Sequence, residues 1–153
     1  DPILEKGEKA YDDVKNHVVS GEVEDVIKSI IIATGAVSLS VNPDYNSALA
    51  HALYYGLTVR EWMEQKHLHG EIVSYGTLAQ LLIDGQMEEL RKVYDFNKAV
   101  KLPVCLKDLD LDRDDPMDDI LDATIINPEL NHIPYPITKE MVRETILKLE
   151  DYK

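Results

Sequence analysis

The sequence predicts an all-α protein, a multi-helix bundle of about seven helices joined by short loops. Three observations carry that expectation. Apolar residues recur every three or four positions along most of the chain, as one face of a helix requires. No segment shows the two-residue alternation of a half-buried strand. The breaks in the pattern fall at proline-bearing turns such as Asn42-Pro43-Asp44 and Leu102-Pro103, where the residue before proline is pushed out of the α region. With 153 residues the chain is read as one domain, 1–153. A domain of that size hides roughly two thirds of the surface its unfolded chain exposes, enough for a real core.

The elements follow in order. A weak amphipathic stretch places Ala10, Tyr11, Val14 and Val18 on one side. A longer helix opens after Gly21 and runs to about Ser40, with Val23, Val26, Ile27, Ile30, Ile31 and Val37 on one face. A third runs from about Tyr45 to Trp62, with Leu49, Ala52, Leu53 and Leu57 inward, and 65–67 reads as loop. The fourth, from Gly70 to Leu82, is rich in small residues (Gly76, Thr77, Ala79), which predicts close approach to a neighbouring helix. Met87 to Val100 form a fifth, with Leu90, Val93, Tyr94 and Ala99 inward. Asp115-Pro116 reads as an N-cap followed by proline at the first helical position, opening a helix to about Ile125. Three prolines between Asn127 and Pro136 predict extended chain. Thr138 caps a last helix, inward at Met141, Val142, Ile146 and Leu149.

Charge and composition exclude several functions. A net charge of −13 repels phosphate backbones and anionic membranes, so nucleic acid is not an expected partner. The single cysteine, Cys105, permits no internal disulfide and fits a reducing compartment; it reads as a small core residue. The longest apolar run, Ser29 to Val41, is too short and too interrupted for a membrane span. The first residues have no basic start and no apolar signal core, so a cytoplasmic protein is expected. The chain lacks an initiating methionine and is read as a trimmed or excised piece.

Of five histidines, His51 sits mid-helix and His69 at a loop-to-helix junction eighteen positions on. On different helices, the two can meet across a helix pair. Neutral imidazole is the commonest metal ligand, but a catalytic zinc takes three protein ligands, so two histidines are not a complete site. The residue pattern alone leaves open a satisfied core histidine at position 51 and a helix cap at 69.

The words around them are more specific. Ala50-His51-Ala52-Leu53-Tyr54-Tyr55-Gly56-Leu57-Thr58 resembles the first metal-histidine helix of glycerol dehydrogenases. The run from His69-Gly70-Glu71 to Ala79-Gln80-Leu81 resembles their second metal-histidine motif. Leu102-Pro103 with Leu106-Lys107-Asp108-Leu109, and His132-Ile133-Pro134-Tyr135-Pro136-Ile137-Thr138, resemble two later stretches. The likeness runs from about Gly35 to Lys153, in the family's order. It points to the glycerol dehydrogenase branch of the iron-containing alcohol dehydrogenase and dehydroquinate synthase family.

The resemblance implies a helical domain following a nucleotide-binding α/β domain, with a divalent metal between them, zinc rather than iron. Two metal ligands map onto His51 and His69; a third, an aspartate, comes from earlier in the family's chain. The metal activates a hydroxyl of a small polyol or alcohol, and hydride leaves to NAD or NADP. The seven glycines form no G-x-G pair, so the nucleotide half is read as absent from this chain, which alone is expected to be inactive. The missing half is an expected partner, and an apolar face left uncovered favours a homo-oligomer. His67 and Asn46 are candidates for the substrate side. The stretch Asn42 to Ser47 departs from the Ser-Gly-Gly run of the family, which keeps a phosphorylated alcohol such as glycerol 1-phosphate open. A free-standing, non-catalytic helical bundle acting by protein contact is the alternative from another class. A lyase of the dehydroquinate synthase kind ranks low, because only Arg60 and Lys66 lie near the histidines in sequence. The alternating Asp108, Asp110, Asp112 and Asp114 lack the glycine of a calcium loop and read as solvated chain.

Overall fold

The computed structural model describes residues 1–42 and 45–152. Among these no strand forms, and the all-α expectation holds. The α-helices are α1 (Pro2–Lys15), α2 (Gly21–Lys28), α3 (Thr34–Ser40), α4 (Leu49–Leu57), α5 (Met63–Lys66), α6 (His69–Ile83), α7 (Met87–Val100), α8 (Asp118–Ile125) and α9 (Lys139–Asp151). One π-helical turn, Ser29–Ala33, joins α2 to α3, so the expected 21–40 helix is one continuous helical run. Short 3₁₀ turns lie at Leu106–Leu109 and Pro128–His132.

The core forms around α4. It is apolar on nearly every face, and it packs on α6 and on α8. Leu49, Leu53 and Leu57 from α4 meet Ile72, Tyr75 and Leu78 from α6, with Ile120 and Leu121 from α8. Each large apolar side chain buried this fully contributes about 1.5–3 kcal/mol. Helix α6 also carries α7 and α9, through Leu90, Tyr94, Val142, Ile146 and Leu149. Asn97 on α7 donates to Ser74 Oγ on α6 at 2.8 Å, a buried polar tie within that contact. Two glycines set the spacing around α4: a Cβ on Gly76 would lie 2.5 Å from the Ala50 carbonyl oxygen, and one on Gly56 would meet Thr124 and the Ile120 carbonyl. The small residues of α6 therefore serve the close packing their composition predicts.

Several sequence expectations are corrected. The first helix starts at Pro2, capped by Asp1, whose carboxylate accepts from the Ile3 N–H at 2.9 Å. It ends at Lys15, so Val18 lies beyond it, and both Val14 and Val18 are exposed. In the 21–40 run only Val23 is buried; Ile27, Ile30, Ile31 and Val37 are exposed, because α2 packs on α1 and no other described element covers that face. Helix α4 is shorter than 45–62, since Asn46 and Ser47 are engaged outside it and Thr58 ends it. The expected loop at 65–67 contains the end of α5. Ala99 is exposed on α7.

Asp115 does not cap α8. Its carboxylate accepts from the Asp112 N–H at 2.8 Å, and Arg60 takes the Pro116 carbonyl at 2.8 Å, so the helix opens later, at Asp118. Pro128 starts a 3₁₀ turn rather than extended chain; as its first residue it has no N–H to satisfy. Cys105 is half-buried, and burial pushes its thiol up. Thr138 caps α9 as expected, accepting from the Met141 N–H at 3.2 Å. The expected break at Asn42-Pro43-Asp44 falls partly on residues 43 and 44, outside the described residues. No helix among the described residues is long and apolar enough to cross a membrane.

Candidate metal centre

Helix α4 begins without a side-chain cap of its own. Gln80, from α6, supplies one: its side-chain oxygen accepts from the Ala50 N–H at 3.2 Å. That bond and the Gly76 contact clamp the start of α4 to α6. His51 follows directly on α4, and His69 is the first residue of α6. The fold brings the two imidazoles together, with ring centres 5.6 Å apart and planes tilted by 45°. Two imidazoles sharing a tetrahedral metal, at about 2.0–2.1 Å per bond, would have ring centres roughly 5 Å apart. The pair therefore fits the group the sequence implies.

The electrostatics suit it as well. Burial pushes the His51 imidazole below its ordinary pKa, and the neighbouring His69 adds to the shift, while the Glu129 carboxylate opposes it. The neutral ring is the form that binds metal. Among the described residues no group of three or more histidine, cysteine, aspartate or glutamate side chains is arranged to hold a metal ion.

Three residues around the pair were not marked by the sequence as part of a site. Tyr54, expected as packing, sets its ring against His69, centres 4.4 Å apart in an edge-on contact, and its hydroxyl donates to Glu64. Glu129 accepts from the Ser47 hydroxyl and donates its own N–H to Asn127 Oδ1 at 3.0 Å. The one available signal was spacing: Tyr54 lies one helical turn after His51, on the same face. Glu64 and Glu129 come from other elements, and nothing local marks them.

Asn46 lines a shallow cavity of about 280 Å³ together with His51, Thr77 and Gln80, and its side-chain amide donates to the Ser38 carbonyl at 3.3 Å. His67 lies elsewhere. It is 13% exposed, and its Nε2 faces the Asp110 carboxylate at 3.4 Å. It lines a second cavity with Glu71, Lys98, Lys101 and Asp108, which does not contain His51 or His69. His132, which had no expected partner, stacks on Tyr45 with centres 4.6 Å apart. The cations near the pair in sequence are engaged: Arg60 pairs with Asp119 and Lys66 with Asp110.

No protein-family model matches the sequence. Individual proteins do. The chain is 36% identical over 152 residues to a glycerol dehydrogenase of Citrobacter freundii, covering 96% of this chain and 40% of that protein. It is 30% identical over 156 residues to hydroxycarboxylate dehydrogenase A of Escherichia coli, covering 43% of it. The crystal structure of a probable glycerol dehydrogenase from Sinorhizobium meliloti superposes with a TM-score of 0.84 at 27% identity, over 99% of this chain and 42% of that one. The chain spans about two fifths of the length of these relatives. In sequence and in fold, over that two fifths of their length, the chain is a homologue of the glycerol dehydrogenases.

Proposed function

We propose that this chain is the helical, metal-binding portion of an NAD- or NADP-dependent dehydrogenase acting on a small polyol, with His51 and His69 as two of the metal's ligands. The observation that carries the reading is the 5.6 Å approach of two imidazoles from different helices, at the place where the sequence resembles the metal-histidine motifs. A divalent metal bound there, zinc in preference to iron, supplies Lewis-acid activation of the substrate hydroxyl. The chain's own residues do the holding. Burial holds the His51 imidazole below its ordinary pKa, Gln80 and Gly76 fix α4 against α6, and Asn46 borders the cavity beside His51. The third ligand and the nicotinamide site belong, on this reading, to sequence outside this chain.

The test is a zinc titration by calorimetry, on the chain alone and with a nucleotide-binding half supplied in trans. Zinc binding that is lost in both His51→Ala and His69→Ala and tightened by the added half is the expected result. No binding in either setting refutes the proposal. That outcome leaves a second reading, a helical bundle acting by protein contact.

A further inference from the structure

We infer that Tyr54, held by Glu64, is the positioning residue for His69, fixing the imidazole in the orientation that faces His51. The inference rests on the metal reading above. His69 is the first residue of α6 and lies at the surface, where an unrestrained side chain samples several rotamers. Among the described residues neither His69 nor His51 makes a side-chain hydrogen bond, and both take part in ring contacts. For His69 those contacts are two: the His51 ring at 5.6 Å and the Tyr54 ring, closer, at 4.4 Å.

Tyr54 is suited to act as a wall. Its ring is 8% exposed and is carried by α4, the same helix as His51, so both neighbours of His69 move as one body. Its hydroxyl is tied to Glu64 on α5, five residues before His69. The ring is thus fixed at its backbone end by the core helix and at its far end by the segment leading into α6. A buried tyrosine hydroxyl generally takes a hydrogen-bond partner. Here the carboxylate is the acceptor that sets which way the phenol points. Hydrogen-bonded outer partners of metal-binding histidines fix ring orientation, and losing one weakens metal binding about 10–100-fold; the Tyr54 ring acts on the orientation of His69 by contact instead.

The test compares Tyr54→Phe and Glu64→Ala, which remove the hydrogen bond but keep the helix, with Glu64→Gln, whose side-chain oxygen can still accept it. Two measurements are made on the full chain: zinc affinity by calorimetry, and the His69 ring resonances of the metal-free protein by carbon–proton correlation. The expected result is about tenfold weaker zinc binding in Tyr54→Phe and Glu64→Ala, near-normal binding in Glu64→Gln, and a single His69 ring conformation that becomes several only in the first two. Circular dichroism identifies any variant that has simply unfolded. Unchanged zinc affinity and an unchanged His69 spectrum in Tyr54→Phe overturn the inference while leaving the metal reading intact. If the parent chain binds no zinc, the metal reading fails by itself, and the His69 spectrum alone decides the positioning: no change in Tyr54→Phe refutes it.

Discussion

Replacing Gly76 by alanine tests the central packing on which the candidate site depends. The added Cβ would lie 2.5 Å from the Ala50 carbonyl oxygen, 2.9 Å from its Cα and 3.1 Å from its carbonyl carbon, whereas ordinary contact begins at 3.4 Å. All three atoms are backbone of α4, so no side chain can swing aside, and α4 and α6 must part by about 0.9 Å at that point. Overpacking of this kind costs about 1–3 kcal/mol. Alanine's better helix propensity returns up to about 1 kcal/mol. With that full return the net loss is about 0–2 kcal/mol, up to roughly 8 °C in Tm for a chain of this length. Gly35→Ala is the control: it lies in the 21–40 run with nothing within 4 Å of the added methyl, and it should leave Tm unchanged or raise it. Thermal unfolding followed by circular dichroism reads both. A Gly76→Ala protein as stable as Gly35→Ala would refute the close approach of α4 and α6. The same displacement moves His51 relative to His69, so zinc affinity should fall in Gly76→Ala and not in Gly35→Ala.

Two further predictions use other parts of the molecule. Glu150 accepts from the Leu106 N–H at 2.8 Å, and burial pushes its carboxyl above the ordinary value of 4.5. The folded state therefore binds this proton more tightly than the unfolded chain. The stability gained from protonation is complete below pH 4.5 and is lost as pH rises through the raised folded value. Glu150→Gln removes the charge but keeps an acceptor for Leu106, so it should raise Tm at pH 7 and have no such advantage below pH 4.5; a lower Tm at pH 7 would refute the sign. The second concerns the bare face of the 21–40 run. Ile31 is 67% exposed and Leu39 90% exposed, so changing both to glutamine removes little buried surface. Tm should stay within a degree or two, while any concentration-dependent association seen by sedimentation velocity should weaken. A fall in Tm of several degrees would show that these side chains are covered in solution.

Much of this fold was legible because helical periodicity and capping chemistry are local. Thr138 before Met141, Val142 and Ile146, and the small residues of 70–82, announce α9 and the tight face of α6 without tertiary information. Where the reading failed, a distant partner had taken the local group. Asp115 is spent on the Asp112 turn instead of capping α8, and the start of α4 is capped by Gln80, thirty positions away. Periodicity also reports helix without reporting what covers it. Ile30 and Ile31 keep the spacing of a core face and lie exposed, while Leu53 and Leu57, with the same spacing, are fully buried.

The candidate site divides in the same way. The approach of His51 to His69 across two helices was anticipated by the sequence, whereas the Tyr54–His69 ring contact and the Tyr54–Glu64 bond were not. The structure adds a connection that neither histidine motif contains. Asn46, next to the His51 cavity, bonds to the carbonyl of Ser38, the residue before the exposed Leu39 in the bare helix. The end of the exposed apolar run is thus tied through Asn46 to the cavity that His51 lines. On the proposed reading both lack the same thing, chain from outside these residues, and a protein segment that brings a third ligand to His51 and His69 would also lie beside the apolar surface it could cover. Charged residues placed along Ile30, Ile31 and Val37 should therefore weaken the enhancement of zinc binding by an added half while leaving the chain's own zinc affinity unchanged. Equal loss of both in a zinc titration would separate the two features and break that connection.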